Sequence, residues 1–343
     1  MSTDLSADPL AILARARDEV TPALREAVAR LDDTTRTISG YHLGWTDAAG
    51  VPTPGGARGK AVRPALALLS ALAAGHDARA GLPGAVAVEL VHNFSLVHDD
   101  LMDGDTERRH RATAWTVWGS ANAILTGDAL LALATEVLLE SRSPHAGAAA
   151  SLLAATTRDL IRGQALDLAF ERRPAVSLAE CREMAAGKTG ALLATSAAIG
   201  ALLTGGPGDL VDALAEFGAE LGLAFQLIDD LLGIWGDPAT TGKPVWSDLR
   251  SRKKTLPVTY AASRRDGTGR AVARWLRGTE ALDEAGLRRV ADLIEAAGGR
   301  AWAAEEASRR LAAAEHALDR VPIPGAPRAD LLELARFIVT RTA

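Results

Sequence analysis

The chain has 343 residues, 48% of them apolar, and carries 38 Lys and Arg against 43 Asp and Glu, a formal charge of −5 with a pI near 5.9. This length admits one large domain or two with a substantial core, and the acidic balance, which leaves no uniformly basic surface, argues against nucleic acid as a partner. Ala and Leu dominate while aromatic residues make up 4%, which favours helix through side-chain entropy and predicts an all-α protein.

Residues 8–35 carry apolar positions at helical spacing and read as a lead-in helix pair, with Pro22 early in the second helix. A Gly- and Pro-rich stretch over 39–59 reads as a loop, so helices are expected over 1–38 and a loop over 39–59. A helix then opens at Arg63-Pro64, with Pro64 in its first turn. Lys60 and Arg63 stand at that N-terminus, where backbone N–H groups and the macrodipole already favour an anion. A diphosphate site and an inconsequential basic loop are equally compatible with this local pattern.

The stretch ELVHNFSLVHDDLMDGDTERR (89–109) holds the sharpest chemistry. Helical spacing puts Asp99 and Asp103 on one face, about 6 Å apart along the axis. Two anions that close repel, so an apolar helix ending in Asp99, Asp100, Asp103 and Asp105 calls for a cation, and all-oxygen ligation suits Mg2+. A solvated acidic helix end explains one such motif equally well. However, FQLIDDLLGIWGD (225–237) repeats the design with Asp229, Asp230 and Asp237. Two charged pairs inside apolar periodic helices point to a shared Mg2+ cluster completed by substrate phosphates. His92 lies two turns before Asp99 on the same face, placed as a hydrogen-bond donor to a bound anion. Arg108 and Arg109 follow, with rigid forks that suit phosphate oxygens or simple charge balance.

Residues 121–140 and 148–170 read as two further apolar helices, with Gln164 and Asp167 as i,i+3 neighbours that line a cavity or belong to a polar network. Lys188 and Thr189 lie between Gly187 and Gly190, whose small size leaves room for a bulky anion or a helix kink. An unpaired buried Lys is costly, so Lys188 must reach solvent or a phosphate. The second aspartate helix is expected from about Asp209 to Trp235. Residues 237–257 are rich in Pro, Gly and charge and read as a flap carrying Lys243, Lys253 and Lys254. Helices resume over 258–343, broken at Gly298-Gly299 and at 322–327.

The single cysteine, Cys181, reads as a small buried hydrophobe and fits a reducing cytoplasm. No secretory signal is expected at the N-terminus. The weakly polar run 190–206 is rich in Ala, Gly, Ser and Thr, and a buried bundle helix is expected there rather than a membrane span. No internal repeat, P-loop or dinucleotide fingerprint is found.

Taken together, RGKAVRP (58–64), HNFSLVHDDLMD (92–103), the Arg108-Arg109 pair, GKTG (187–190), FQLIDD (225–230), GDPATTGK (236–243) and KKTLP (253–257) resemble, in order and spacing, the motifs of the trans-isoprenyl diphosphate synthase (polyprenyl synthetase) family. The resemblance implies one all-α domain over 1–343, an isoprenoid-synthase bundle of about ten or more helices around a central cavity, as a homodimer. It implies three Mg2+, with Asp99 and Asp103 holding two and Asp229 the third. Arg108, Lys188, Gln226, Lys243 and Lys253 would contact an allylic diphosphate, Lys60, Arg63, His92 and Arg109 would hold isopentenyl diphosphate, Thr189 would be substrate-binding, and Asp100 would join Asp99, Asp103, Lys188, Asp229 and Lys243 in the catalytic set. The implied chemistry is ionisation of the allylic diphosphate, condensation, and proton loss to the departing diphosphate. Phe94, five residues before Asp99, would floor the product cavity, which suggests a twenty-carbon product, geranylgeranyl diphosphate, with farnesyl diphosphate as the nearest competitor. The pattern is departed from in two places. Gly233 stands where the second motif ends in Asp, and His110 and Ala112 stand where Gly and Pro are usual.

A terpene cyclase of the same fold would carry an Asn/Ser/Glu triad where Asp229-Asp230 stands and would lack the Lys60, Arg63 and His92 site. An inactive partner or cargo subunit is disfavoured by the intact aspartates.

Overall fold

The structure, a computed structural model, describes residues 8–53, 59–237 and 246–340. The all-α expectation holds: apart from one two-residue hairpin and an isolated bridge at Thr46 and Pro52, the regular structure described is helical. The chain forms two compact units. One is drawn from Met1–Thr157, Thr195–Ala215 and Val321–Glu333, the other from Arg158–Ala194, Glu216–Arg320 and Leu334–Ala343.

In the first unit, α1 (Pro9–Val28) is capped by Asp8 and α2 (Asp33–His42) by Asp32, whose carboxylates accept from the first-turn N–H groups. Pro22 lies inside α1 rather than early in a second helix. Its ring removes one intrahelical bond, yet α1 runs on because Val20, Leu24, Ala27 and Val28 are buried on both sides of it. The lead-in helices therefore extend past residue 38, since burial of Ile38 and Tyr41 carries α2 to His42. Next, α3 (Val62–Ala73) packs beside α4 (Leu82–Met102), whose Ala, Val and Leu residues are buried almost throughout. A hairpin of β1 (Glu107–Arg108) and β2 (Arg111–Ala112) leads to α5 (Ala114–Trp118) and to α6 (Ser120–Leu139), which packs along α4.

The second unit contains α8 (Leu178–Ala185), opened by a reciprocal Ser177/Glu180 capping box, and a π-helical turn over Ala186–Gly190. It also holds α11 (Ser247–Arg250), α12 (Leu256–Ser263), α13 (Gly267–Arg277), α14 (Glu284–Ala296) and α15 (Gly299–Asp319). Ile234, Leu249, Val258, Val272, Leu287 and Ile294 centre its apolar core. Four helices, α7 (Ala146–Glu171), α9 (Ala191–Leu203), α10 (Gly208–Trp235) and α16 (Gly325–Thr340), contribute residues to both units.

Three helical stretches, Ala78–Met102, Ser120–Leu139 and Leu178–Leu203, are long and apolar enough to cross a membrane by length and composition. The run expected as a buried bundle helix falls largely in the last of them, and 72% of its most apolar window is buried inside the protein.

Candidate functional site

The first aspartate motif sits at the end of α4, where consecutive residues point about 100° apart around the axis, so the two members of an Asp-Asp pair meet different surroundings. Asp99 is half-buried and Asp103 exposed. Asp103 closes the helix, its N–H donating to the Asp99 carbonyl at 2.8 Å. Asp100 turns inward: its side chain is 1% exposed and its Oδ1 accepts from Arg108 Nε at 2.6 Å. Burial pushes Asp100 up to about 6 against the opposing pull of Arg108. Among the described residues its Oδ2 is buried without a partner.

Arg108 is delivered by the hairpin, whose register pairs Glu107 with Ala112 and Arg108 with Arg111. The two turn residues, Arg109 and His110, take φ values of 53° and 61°. A two-residue turn with both φ positive is type I′, which normally favours Gly or Asn. The turn at His110 is therefore strained, and it is held by anchors on either side. Arg111 donates to the carbonyls of Tyr41 at 3.0 Å and Thr46 at 2.7 Å and lies 4.0 Å over the Tyr41 ring, and Tyr41 Oη donates to the Ala112 carbonyl at 2.8 Å. Tyr41, His42, Asp100, Arg108, Arg109 and Arg111 line a small pocket.

A second cluster in the same unit joins Arg63 at the start of α3 to the middle of α4. Arg63 Nη1 lies 3.4 Å from His92 Nε2. Asn93 donates to the Glu89 carbonyl at 2.7 Å and to Glu89 Oε1 at 3.2 Å. Burial, then the guanidiniums of Arg63, Arg109 and Arg108, holds His92 well below its ordinary value, so it is a neutral hydrogen-bonding group. Burial followed by Arg108 and Arg109 likewise brings His42 down to about 3. Burial also lowers Arg63 and raises Glu89, each opposed by the other's charge. Arg63 Nε is buried without a partner among the described residues, an orphan donor of the kind a bound anion satisfies. Lys60 is exposed one residue before Ala61, which enters α3 at φ 56°. A Cβ on the neighbouring Gly59 would lie 3.5 Å from Arg109 Nη2.

In the second unit, Lys188 Nζ donates to Asp167 Oδ2 at 2.6 Å and Lys253 Nζ lies 3.7 Å from the same oxygen. Burial pushes Asp167 up, but the two ammonium groups outweigh it and hold the carboxyl below its ordinary value. Of the two readings that the small residues around Lys188 allowed, room for an anion or a helix kink, the structure shows the kink, a π-helical turn over Ala186–Gly190. A Cβ on Gly163 of α7 would come within 2.8 Å of Lys188 Cα, and one on Gly222 of α10 within 2.6 Å of Gly190 Cα. Backbone is pressed on backbone there, and the π turn sets the direction of Lys188. Thr189 Oγ1 donates to Gln226 Oε1 at 2.6 Å, Gln226 Nε2 donates to Asp230 Oδ1 at 2.7 Å, and the Leu256 N–H donates to Asp230 Oδ2 at 2.8 Å. Asp230 is 6% exposed, and burial pushes it up to about 8. Asp229, its neighbour, is exposed. Lys243 lies outside the described residues.

Phe94 is buried on α4 with its ring edge-on to His98, centroids 4.9 Å apart. Cys181 is fully buried, its Sγ 3.1 Å from the Lys254 carbonyl, with the thiol pushed up by burial. Sequence reasoning missed Glu89, Asn93, His42 and Arg111. For Glu89 a signal existed, three residues before His92 and four before Asn93 on one helix face. The remaining two are brought in by tertiary packing.

No group of three or more His, Cys, Asp or Glu side chains converges among the described residues. The available ligands are instead hard carboxylate oxygens on separate helix positions, which fits an ion that takes one or two carboxylates and completes its shell with phosphate oxygens.

The Polyprenyl synthetase family model matches residues 55–294. The chain is 53% identical over 337 residues to a (2E,6E)-farnesyl diphosphate synthase of Mycobacterium tuberculosis, covering 97% of this chain and 94% of the relative. It is 42% identical over 333 residues to a geranylgeranyl diphosphate synthase of the same organism, covering 96% and 93%. A polyprenyl synthetase from Streptomyces coelicolor superposes with a TM-score of 0.93 at 52% identity, covering 97% of this chain and all of that one. On these matches, the chain belongs to the polyprenyl synthetase family and is a trans-prenyltransferase.

Proposed function

We propose that this prenyltransferase condenses isopentenyl diphosphate with an allylic diphosphate to give a short-chain trans-prenyl diphosphate. Proteins of the family use Mg2+ to bind diphosphate, and isoprenyl diphosphates are their substrates. The observation that carries the finer reading is the Arg63 and His92 pair: a buried guanidinium with an unpartnered Nε beside a neutral imidazole, close to Arg109, is a ready anion site.

In this reading Arg63, His92 and Arg109 hold isopentenyl diphosphate, with Lys60 at the α3 N-terminus adding charge. Asp99, Asp103 and Asp229 are the Mg2+ ligands, three ions in all, and Arg108, Lys188, Gln226, Lys243 and Lys253 bind the allylic diphosphate. Bound Mg2+ would supply charge neutralisation for the departing diphosphate. Asp100 holds Arg108 and Asp167 holds Lys188, each within its own unit, and Thr189 and Asp230 fix the Gln226 amide. Fixed cations cost no reorganisation when the C–O bond breaks. The same elements support reading 1–343 as one catalytic domain, since four helices serve both units. The apolar Ile124, Leu125 and Leu139, left exposed on α6, support a homodimer, and the lone buried Cys181 supports a reducing cytoplasm.

For product length, the 53% identity to a farnesyl diphosphate synthase supports fifteen carbons, ahead of the twenty carbons expected from Phe94. Purified protein given Mg2+, isopentenyl diphosphate and each allylic primer is expected to stop at farnesyl diphosphate. Geranylgeranyl diphosphate as the end product would restore the second reading, and a cyclised hydrocarbon or no product would sink both. Phe94→Ala is expected to lengthen the product, and an unchanged length would remove Phe94 as the floor.

A further inference from the structure

In the second unit a buried charge lies among residues that the site described above does not use. Glu306, on α15, is 5% exposed, and three arginines surround it. Two follow it by one turn on the same helix. Arg309 Nε donates to Oε2 at 3.0 Å, and Arg310 donates to Oε1 from Nε at 2.9 Å and from Nη2 at 2.8 Å. Burial pushes Glu306 up, but these hydrogen bonds and the charges of Arg310 and Arg182 outweigh it and hold the carboxyl below its ordinary value. It is therefore ionised. A buried ion pair contributes little net stability over an apolar substitute of the same shape, so the cluster calls for another account.

That account lies in what the cluster joins. Arg182 of α8 donates to Glu306 Oε1 at 3.4 Å, and its guanidinium stands 5.6 Å from the ring centroid of Trp302, one turn before Glu306 on α15. Trp302 is stacked in turn on Tyr260 of α12, centroids 4.6 Å apart and planes 5° from parallel. Arg310 reaches the other way, its Nη1 donating to Glu220 Oε2 of α10 at 3.0 Å. Arg182 precedes Thr189, and Glu220 precedes Gln226, by less than two helical turns, and Thr189 Oγ1 donates to Gln226 Oε1 at 2.6 Å. Between the ties and that hydrogen bond, α10 meets the π turn at bare backbone, where a Cβ on Gly222 would lie 2.6 Å from Gly190 Cα. Interdigitating side chains normally fix how one helix sits along another. Glycine against glycine supplies none, so the register there must be set elsewhere.

We propose that Glu306 is a positioning residue for the prenyl transfer: through Arg182 and Arg310 it ties α8 and α10 to α15 and fixes the register at which Thr189 meets Gln226. The proposal rests on Gln226 contacting the allylic diphosphate. It gives a carboxylate that two arginines of its own helix already satisfy a reason to be buried where α8 and α10 both reach the cluster.

The test is steady-state kinetics on the full chain, at a temperature where circular dichroism shows each variant folded. Glu306→Gln keeps the shape and an acceptor but removes the charge. It is expected to raise the KM for the allylic diphosphate about fivefold to tenfold, the size of effect that residues without ligand contact exert through packed networks, with the KM for isopentenyl diphosphate within about twofold of the parent. A merely structural role would loosen the fold without this split between substrates. In a Gln226→Ala background the same substitution is expected to change the allylic KM by less than about twofold, because the contact it maintains is gone. Should Glu306→Gln fail to fold, Arg182→Gln, at a half-exposed side chain, cuts the α8 tie alone and is expected to show the same split. A folded variant with the allylic KM within about twofold of the parent would overturn the proposal, as would an equal loss for both substrates or an undiminished effect in the Gln226→Ala background. Gln226→Ala by itself separates the two levels. If it raises the allylic KM while Glu306→Gln is silent, only the role of Glu306 falls, and if it leaves that KM unchanged, the assignment of Gln226 beneath it falls.

Discussion

Arg108 Nε and Asp100 Oδ1 stand 2.6 Å apart, joining a hairpin with a strained turn to the last turn of α4. Each partner fixes the other: the carboxylate is almost fully buried and the guanidinium supplies its one hydrogen bond among those described. Removing the carboxylate leaves a cation without its partner, and the hairpin loses a tether to the helix. Asp100→Ala is expected to destabilise the fold by about 2–3 kcal/mol, read by chemical denaturation, and to raise the KM for the allylic substrate. Unchanged stability together with an unchanged KM would remove the pair from the site.

Asp230 and Asp229 are expected to respond oppositely to the same substitution. The folded chain holds Asp230 at about 8, against an ordinary value of 3.8, so folding binds a proton in that window. The stability this contributes is complete below the lower value and is lost as pH rises through about 8, with a slope of up to ~1.4 kcal/mol per pH unit. Asp230→Asn mimics the protonated side chain. Reversing the Gln226 amide lets the new carboxamide accept from the Leu256 N–H and donate to Gln226, while Gln226 donates to Thr189. Denaturation midpoints between about pH 5 and pH 9 should therefore fall less in this variant, with kcat within about threefold of the parent. Asp229→Asn is expected to cost at least about a hundredfold in kcat, a size typical of lost electrostatic support in the transition state.

Gly163→Ala tests whether the approach of α7 to the π turn is obligatory. The added methyl meets Lys188 and Gly187 backbone that has no flexible side chain to yield. We expect a loss of about 2–3 kcal/mol in stability, typical of overpacking, and a further fall in kcat from misdirection of Lys188. A thermal melt superimposable on the parent would show that the turn moves freely.

His92 is a neutral hydrogen bonder in this site rather than a cation, because burial and the surrounding arginines keep its proton off. His92→Gln, which preserves a neutral donor and acceptor, should leave the KM for isopentenyl diphosphate within about threefold, whereas His92→Ala should raise it about tenfold, the effect of one lost charge-assisted hydrogen bond. An activity inflection near pH 6.5 that vanishes in His92→Gln would contradict this assignment.

Most of the helices were legible from periodicity, as α6, α7 and α10 show, because helical spacing of apolar residues follows directly from 3.6 residues per turn. Pro22 misled because burial on both sides of it outweighed one lost backbone bond. The paired aspartates, the arginines after them and the GKTG segment were visible as chemistry in the sequence itself. What spacing cannot say is which side of a helix the interior takes. Packing alone decided that Asp100 and Asp230 turn inward while Asp99 and Asp229 remain accessible, since adjacent residues differ by only about 100° and the neighbouring elements choose between them. Likewise Gly187 and Gly190 allowed either space for an anion or a kink, and packing of backbone on backbone there accompanies the kink, a π-helical turn. The order of residues determines which donors a chain carries, and only the folded backbone, by excluding some volumes and filling others, decides which of them share a site.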